Sequence, residues 1–240
     1  MLKKILIIGA NSEISFEFIR LLNQENNFYF ILSSRNLSNL EKNYIFLKQK
    51  KLLKLDLTQA NTFKNFMSKV DKDIDLVISF AGYKETIELN HLKIFKSNYL
   101  GLKLLIKSFI DRNLFSKLKV IACVTSFLSE RKNFNSSSYS LSKYHLSKYL
   151  EKIQNKQIKN LIIKDFKLGI VNTRMNKSSK FYKLISSNKV DVASILIKKF
   201  YNNQNVIYVP YFWNIILKVY NLLPKKIIFY IDDMYKKISF

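Results

Sequence analysis

Cysteine is nearly absent from this 240-residue chain: the single thiol is Cys123. That excludes a disulfide framework and any zinc site needing several thiolates. Histidine occurs only at His91 and His145, too seldom for a His-rich metal centre. The four glycines and two prolines leave no Pro/Gly-rich linker to divide the chain. No stretch of about 18 uninterrupted apolar residues occurs, so an orthodox transmembrane helix is not expected. The apolar run Ile5–Ile8 is short and ends in Gly-Ala-Asn-Ser-Glu, without the longer core of a signal peptide. By elimination the expected compartment is cytoplasmic.

Acidic residues are also scarce, 17 against 41 basic ones, for a formal net charge of +24. Such a balance invites phosphates, but only five of the cations are arginine: Arg20, Arg35, Arg112, Arg131 and Arg174. Phosphate readers favour the bidentate guanidinium. Lysine here accompanies abundant Asn, Ile, Phe and Tyr, which reads as compositional drift rather than as a nucleic-acid footprint. Attraction to an anionic membrane surface stays open. With 48% hydrophobic and 14% aromatic residues the chain can bury a full core, and its length suits one domain.

Short apolar runs alternate with helical patterns. Strands are expected at Lys4–Gly9, Phe28–Leu32, Lys51–Leu55, Leu76–Phe80, Leu118–Val124, Leu161–Phe166 and Val206–Val209. Helices are expected at Ser12–Asn23, Leu37–Leu47, Ala60–Val70, His91–Asp111, Ser138–Gln154 and Val192–Tyr201. Continuous apolar strands in strict βα alternation imply an α/β fold, a doubly wound parallel sheet with helices on both faces. The domain is expected over 1–209, with a separate tail over 210–240.

The tail is an amphipathic pair of helices. Across Tyr211–Leu223 the polar residues Asn214, Lys218 and Asn221 make one narrow stripe on an otherwise apolar helix. Pro224 ends or kinks it. Lys225–Ile238 then places Ile227, Ile231, Met234 and Ile238 on one face. Lysines at 218, 225, 226, 236 and 237 outnumber Asp232 and Asp233.

Three glycines, Gly9, Gly82 and Gly169, sit just beyond strand ends, on the edge where doubly wound sheets bind ligands. Gly101 lies inside a helix, where it costs about 1 kcal/mol relative to Ala, so close packing is expected there.

The loop Gly9-Ala-Asn-Ser-Glu-Ile-Ser15 resembles the nucleotide loop of the short-chain dehydrogenase/reductases, a likeness extending over roughly residues 3–209. Glu13 and Ser15 stand where that family has its second and third glycines. Ser12 can cap the helix, and the helix dipole favours phosphate. Tyr-x-x-x-Lys, another family motif, occurs at Tyr44, Tyr99, Tyr139 and Tyr144. Only Tyr139-Ser-Leu-Ser-Lys143 opens a helix after a strand that ends in a hydroxyl, Ser126, 13 residues earlier. Asn98, in Ser97-Asn-Tyr-Leu-Gly101, matches the family's helix asparagine.

The resemblance implies catalysis by Asn98, Ser126, Tyr139 and Lys143. Tyr139 would exchange the proton and Lys143 would lower its pKa. Ser126 would orient the substrate oxygen, and Asn98 would hold a relay water. It implies cofactor contacts from Gly9, Asn11, Ser12, Glu13, Ile14, Arg35, Asp56, Ala81, Gly82, Lys143 and Thr173, with no metal. The cofactor is NADP or NAD. Arg35 at the end of the second strand suits a 2′-phosphate and no acidic residue stands there, which favours NADP. Asp56 would touch adenine, unless it or Thr58 caps the next helix. The family's asparagine before Ala81-Gly82 is replaced by Phe80.

The Ser-Glu-Ile loop, Gly169-Ile-Val-Asn-Thr-Arg-Met175 and the tail from Val206-Ile-Tyr-Val-Pro210 resemble one branch, the reductase subunits of decaprenylphosphoryl-ribose 2-epimerase. That branch implies a keto-sugar on polyprenyl phosphate, used for cell-envelope glycans. The tail's broad apolar face and flanking lysines suit an enzyme lying on the inner face of the cell membrane through 211–238, against a tail packed on its own domain or on a second subunit. Two other readings stay open. One is a reductase of a soluble small carbonyl compound whose tail serves oligomerisation; family members form homo-dimers or homo-tetramers through the helix carrying Tyr139. The other is a nucleotide-binding module without catalysis. The substrate pocket is expected from loops 84–92, 128–137 and 174–188.

Overall fold

The structure, a computed structural model, describes residues 2–84, 90–111, 119–131, 137–176 and 185–239. Seven parallel strands form one sheet in the order β3-β2-β1-β4-β5-β6-β7. They are β1 Lys3–Ile8, β2 Phe28–Ser34, β3 Lys50–Lys54, β4 Leu76–Ser79, β5 Val120–Ser126, β6 Ile162–Leu168 and β7 Val206–Val209. The order reverses between β1 and β4, which opens a crevice at the carboxyl edge beside both strands.

Residues alternate between the two faces of each strand. On β1, Ile5 and Ile7 join a core with Phe18 and Ile19 of α1 (Glu13–Leu22) and Val192 and Leu196 of α7 (Lys189–Phe200). Leu6 and Ile8 face the other way. They pack with Phe66 of α3 (Ala60–Lys69), Leu102 and Leu105 of α5 (Gly101–Asp111) and Leu146 and Leu150 of α6 (Ser138–Gln154). Burial on both faces is why these strands read as unbroken apolar runs.

Some expected elements are shorter or broken. The helix α2 stops at Asn43 (Leu37–Asn43). Tyr44 leaves helical geometry, turns inward and donates its hydroxyl to the carbonyl of Ala10 at 2.6 Å. The single helix expected over 91–111 is α4 (His91–Phe95), a π-helical turn Lys96–Leu100, and α5. A Cβ on Gly101 would collide with the backbone oxygen of Leu57, so the packing expected there is real. Leu118 and residues 85–89, 132–136 and 177–184 of the expected pocket loops lie outside the described residues.

The tail forms α8 (Phe212–Leu222) and α9 (Lys225–Ser239), and it is docked on the domain. The Trp213 indole fills the space a side chain on Gly169 would need, and packs against Phe127 with ring centres 4.2 Å apart and planes tilted by 35°. Asp232 of α9 pairs with Arg131 at 3.0 Å and accepts from Tyr220 at 2.8 Å, all three buried. Phe212, Ile215, Ile216, Val219 and Leu222 remain exposed. Among the described residues no helix is long and apolar enough to cross a membrane.

Candidate active site

At the carboxyl edge a cleft of about 370 Å³ runs from the β1–α1 turn to the start of α6. Every residue expected at the site lines it except Asn98, whose place in the lining is taken by Ser97.

The β1–α1 turn is built for close approach. Gly9 has φ +76°, and a Cβ there would come within 2.8 Å of the Ala81 nitrogen. No substitute for glycine meets both conditions. Ser15 tolerates the third glycine position because its buried hydroxyl lies 2.8 Å from the Ala10 carbonyl and 2.7 Å from that of Ser12. Ser12 occupies the N-cap position with extended backbone, but its side chain makes no capping hydrogen bond. That corrects the expected cap and leaves the hydroxyl at the cleft. Asn11 donates to Ser34 Oγ and to the Asn36 carbonyl, while its Oδ1 is buried and accepts nothing. A buried acceptor normally has a donor. A nucleotide's ribose hydroxyl or amino group supplies one, so these residues fit a dinucleotide.

Glu13 behaves unlike the glycine it replaces. Its carboxylate accepts from the backbone nitrogen of Arg174 at 2.9 Å, from Arg174 Nε at 3.0 Å and from Lys189 Nζ at 3.2 Å. Partial burial raises its pKa, but these hydrogen bonds and the Lys189 charge outweigh burial and hold it below the ordinary value. Sequence reasoning placed Glu13 among the cofactor contacts and missed its tie to Arg174 and Lys189. Arg35 is exposed at the rim, its guanidinium 5.5 Å from the centre of the Tyr83 ring, another residue the sequence did not single out. Asp56 caps no helix: its Oδ1 accepts from the nitrogen and the hydroxyl of Thr58, and Gln59 holds the N-cap position of α3.

The reacting end is formed by β5 and α6. Ser126, the last residue of β5, accepts from the nitrogen of Leu128 at 3.3 Å, which leaves its proton to donate. Ser137 caps α6 through the nitrogen of Ser140, so Tyr139 and Lys143 fall on its first turns and share a face. Lys143 is buried and donates to the carbonyls of Ala81 and Val124, at 3.0 Å each. Burial lowers its pKa to about 8, with Cys123 and Asp165 acting in the opposite direction. The Tyr139 phenol is pushed up to about 12 by burial. Burial therefore outweighs any depression of the phenol by Lys143 in this state.

Asn98 lies within the π-helical turn and is fully buried. Its Oδ1 accepts from the Tyr83 nitrogen at 2.7 Å, and its Nδ2 donates to the Tyr83 oxygen and to Ser142 Oγ. The side chain thus joins the β4 loop to α6, while its neighbour Ser97 lines the cleft.

A family profile described as short chain dehydrogenase matches residues 3–182. Among solved structures, a short chain dehydrogenase from Burkholderia cenocepacia in complex with NADP shares 16% identity, with 93% of this chain and 98% of that chain covered and a TM-score of 0.78. An actinorhodin polyketide ketoreductase with NADPH shares 16% identity over 87% of this chain and 95% of its own, with a TM-score of 0.73. A 4-hydroxyisoleucine dehydrogenase complexed with NADH shares 21% identity over 86% of this chain and 96% of its own, with a TM-score of 0.71. At such identities the likeness establishes the fold. No curated protein matches the sequence.

Proposed function

The chain belongs to the short-chain dehydrogenase family, and we propose that its cleft reduces the keto group of a bulky substrate, a sugar carried on polyprenyl phosphate. Family membership makes it an NAD(P)-dependent oxidoreductase. The observation that carries the reductase reading is the meeting of Ser126, Tyr139 and Lys143 in one cleft with the Gly9 turn.

The dinucleotide supplies the hydride when bound. Gly9, Ser12 and the first turn of α1 would hold its phosphates, with Asn11, Asp56 and Arg35 at the adenosine end. Arg35 favours NADP over NAD by pairing with a 2′-phosphate. Ala81, Gly82 and Thr173 would border the nicotinamide. Ser126 donates to the substrate oxygen and orients it. Tyr139 gives its proton to the developing alkoxide. Lys143 has used two of its three N–H bonds on Ala81 and Val124, and its charge favours the phenolate left behind. Asn98 fixes the wall between these groups and the β4 loop.

The tail supports a bilayer-embedded substrate. One side of α8 is anchored beside Phe127 and Gly169, next to the reacting end, and the other side is apolar and exposed. Lys218, Lys225 and Lys226 flank that surface. A broad apolar face edged by lysines lies well on an anionic bilayer, here the cytoplasmic face of the cell membrane. The test is oxidation of NADPH by a keto-pentose on a short polyprenyl phosphate in detergent, against the same keto-pentose free in water. Turnover of the lipid-linked compound alone supports the reading. Equal turnover of the free sugar favours a soluble substrate, and cofactor binding without turnover of any carbonyl favours a non-catalytic module.

A further inference from the structure

Asp165 and Lys167 interrupt the apolar run of β6, and they are 2% and 1% exposed. Burying an ion pair in a sheet core gains little over apolar residues of the same volume, and often loses. Packing therefore gives no account of why they are there. Their contacts do.

The Asp165 carboxylate accepts from two hydroxyls on different elements. Thr125 Oγ1 donates to Oδ1, and Ser147 Oγ donates to Oδ2 at 2.6 Å. Thr125 is the residue before Ser126. Ser147 is one helical turn beyond Lys143. One carboxylate on β6 thus ties the end of β5 that carries Ser126 to the helix that carries Tyr139 and Lys143. Lys167 Nζ completes the node, 3.0 Å from Asp165 Oδ2, 2.6 Å from Ser147 Oγ and 2.6 Å from Glu130 Oε1.

We propose that Asp165 is a positioning residue of the active site, holding Ser126 in register with Tyr139 and Lys143, an inference that rests on the catalytic reading given above. Hydride-transfer sites lose rate steeply when groups shift by an ångström, so a buried polar tie at this junction has a use that an apolar contact lacks.

The test uses the full-length protein. Thr125→Val and Ser147→Ala each take one hydroxyl from Asp165 and leave the ion pair whole. They should lower kcat for NADPH-dependent reduction of an activated ortho-quinone by about tenfold, with KM for NADPH unchanged. Wild-type kcat in both hydroxyl variants overturns the proposal. Failure of the catalytic reading looks different: the wild type itself then reduces no carbonyl, whether or not it binds NADPH.

Discussion

Lys143 Nζ lies 6.0 Å from the centre of the Tyr139 ring, and its hydrogen bonds go to backbone carbonyls rather than to the phenol. The lysine therefore acts on the phenol by charge across a short gap. Tyr139→Phe keeps the ring and removes the proton. Turnover of a carbonyl substrate should fall by at least ~10²-fold, while NADPH affinity, read from its fluorescence, barely changes. Wild-type turnover in the variant would place the proton donor elsewhere.

Lys143 also leaves a mark on stability. Its folded pKa, about 8, lies below the ordinary 10.5, so between these values the unfolded chain binds more protons than the folded one. Stability from this residue is lowest below pH 8 and is regained as pH rises toward 10.5. Compared with Lys143→Met by urea denaturation, the wild type should gain up to ~3 kcal/mol across that window. A constant difference from pH 7 to 10 would mean that the ammonium is not desolvated.

Arg35 stands at the rim over Tyr83. Arg35→Glu places a carboxylate where a 2′-phosphate would lie. NADPH affinity should drop by about tenfold or more while NADH affinity holds. Small equal changes in both, measured by direct binding titration, would show that Arg35 has no part in choosing the cofactor.

Glu13 brings a negative charge to the turn proposed to hold the cofactor's phosphates, and it pairs with Arg174 and Lys189. Glu13→Gln removes the charge and frees both cations for the cofactor. NADPH should bind about three- to tenfold more tightly at low salt, an effect of about 1 kcal/mol that fades as salt rises. Weaker binding in this variant would instead make Glu13 a cofactor contact.

The outer face of α8 can be altered without touching its anchor. Ile216→Glu with Val219→Glu changes two exposed residues and leaves Trp213 and Leu217 in place. Co-sedimentation with anionic liposomes should be lost and NADPH binding kept. If the wild type stays in the supernatant as a stable oligomer that the double variant converts to monomer, the face joins subunits instead.

The alternation of apolar runs and helical patterns carried the sheet, because strands buried on both sides declare themselves as unbroken Ile, Leu, Val and Phe. The site was legible where backbone demands are strict: Gly9 with its positive φ, and Ser126 and Tyr139, whose spacing a strand end and a helix start must satisfy. Glu13 gave no sign of its partners, since Arg174 and Lys189 are far away in sequence and meet it only through the fold. Asp165 and Lys167 were not singled out, since Lys167 lies past the strand expected at Leu161–Phe166 and the hydroxyls that meet Asp165 come from β5 and α6. The π-helical turn at Lys96–Leu100 has no local pattern to betray it. The tail's amphipathic stripe was plain, but its anchoring through Trp213 on Gly169 was hidden, because one glycine in sequence does not say what fills the space above it.

The docking of Trp213 and Asp232 on Gly169 and Arg131 also divides the cleft by order of synthesis. Gly9, Arg35, Asp56 and Gly82 are all translated within the first 82 residues of the chain, and the strands that position them are nearest neighbours in the sheet. The cover over Phe127 and Gly169 arrives only with residues 213–232. A nascent chain can thus assemble its nucleotide half while the apolar patch of Phe127 and Ile170 still waits uncovered, the kind of surface that chaperones hold.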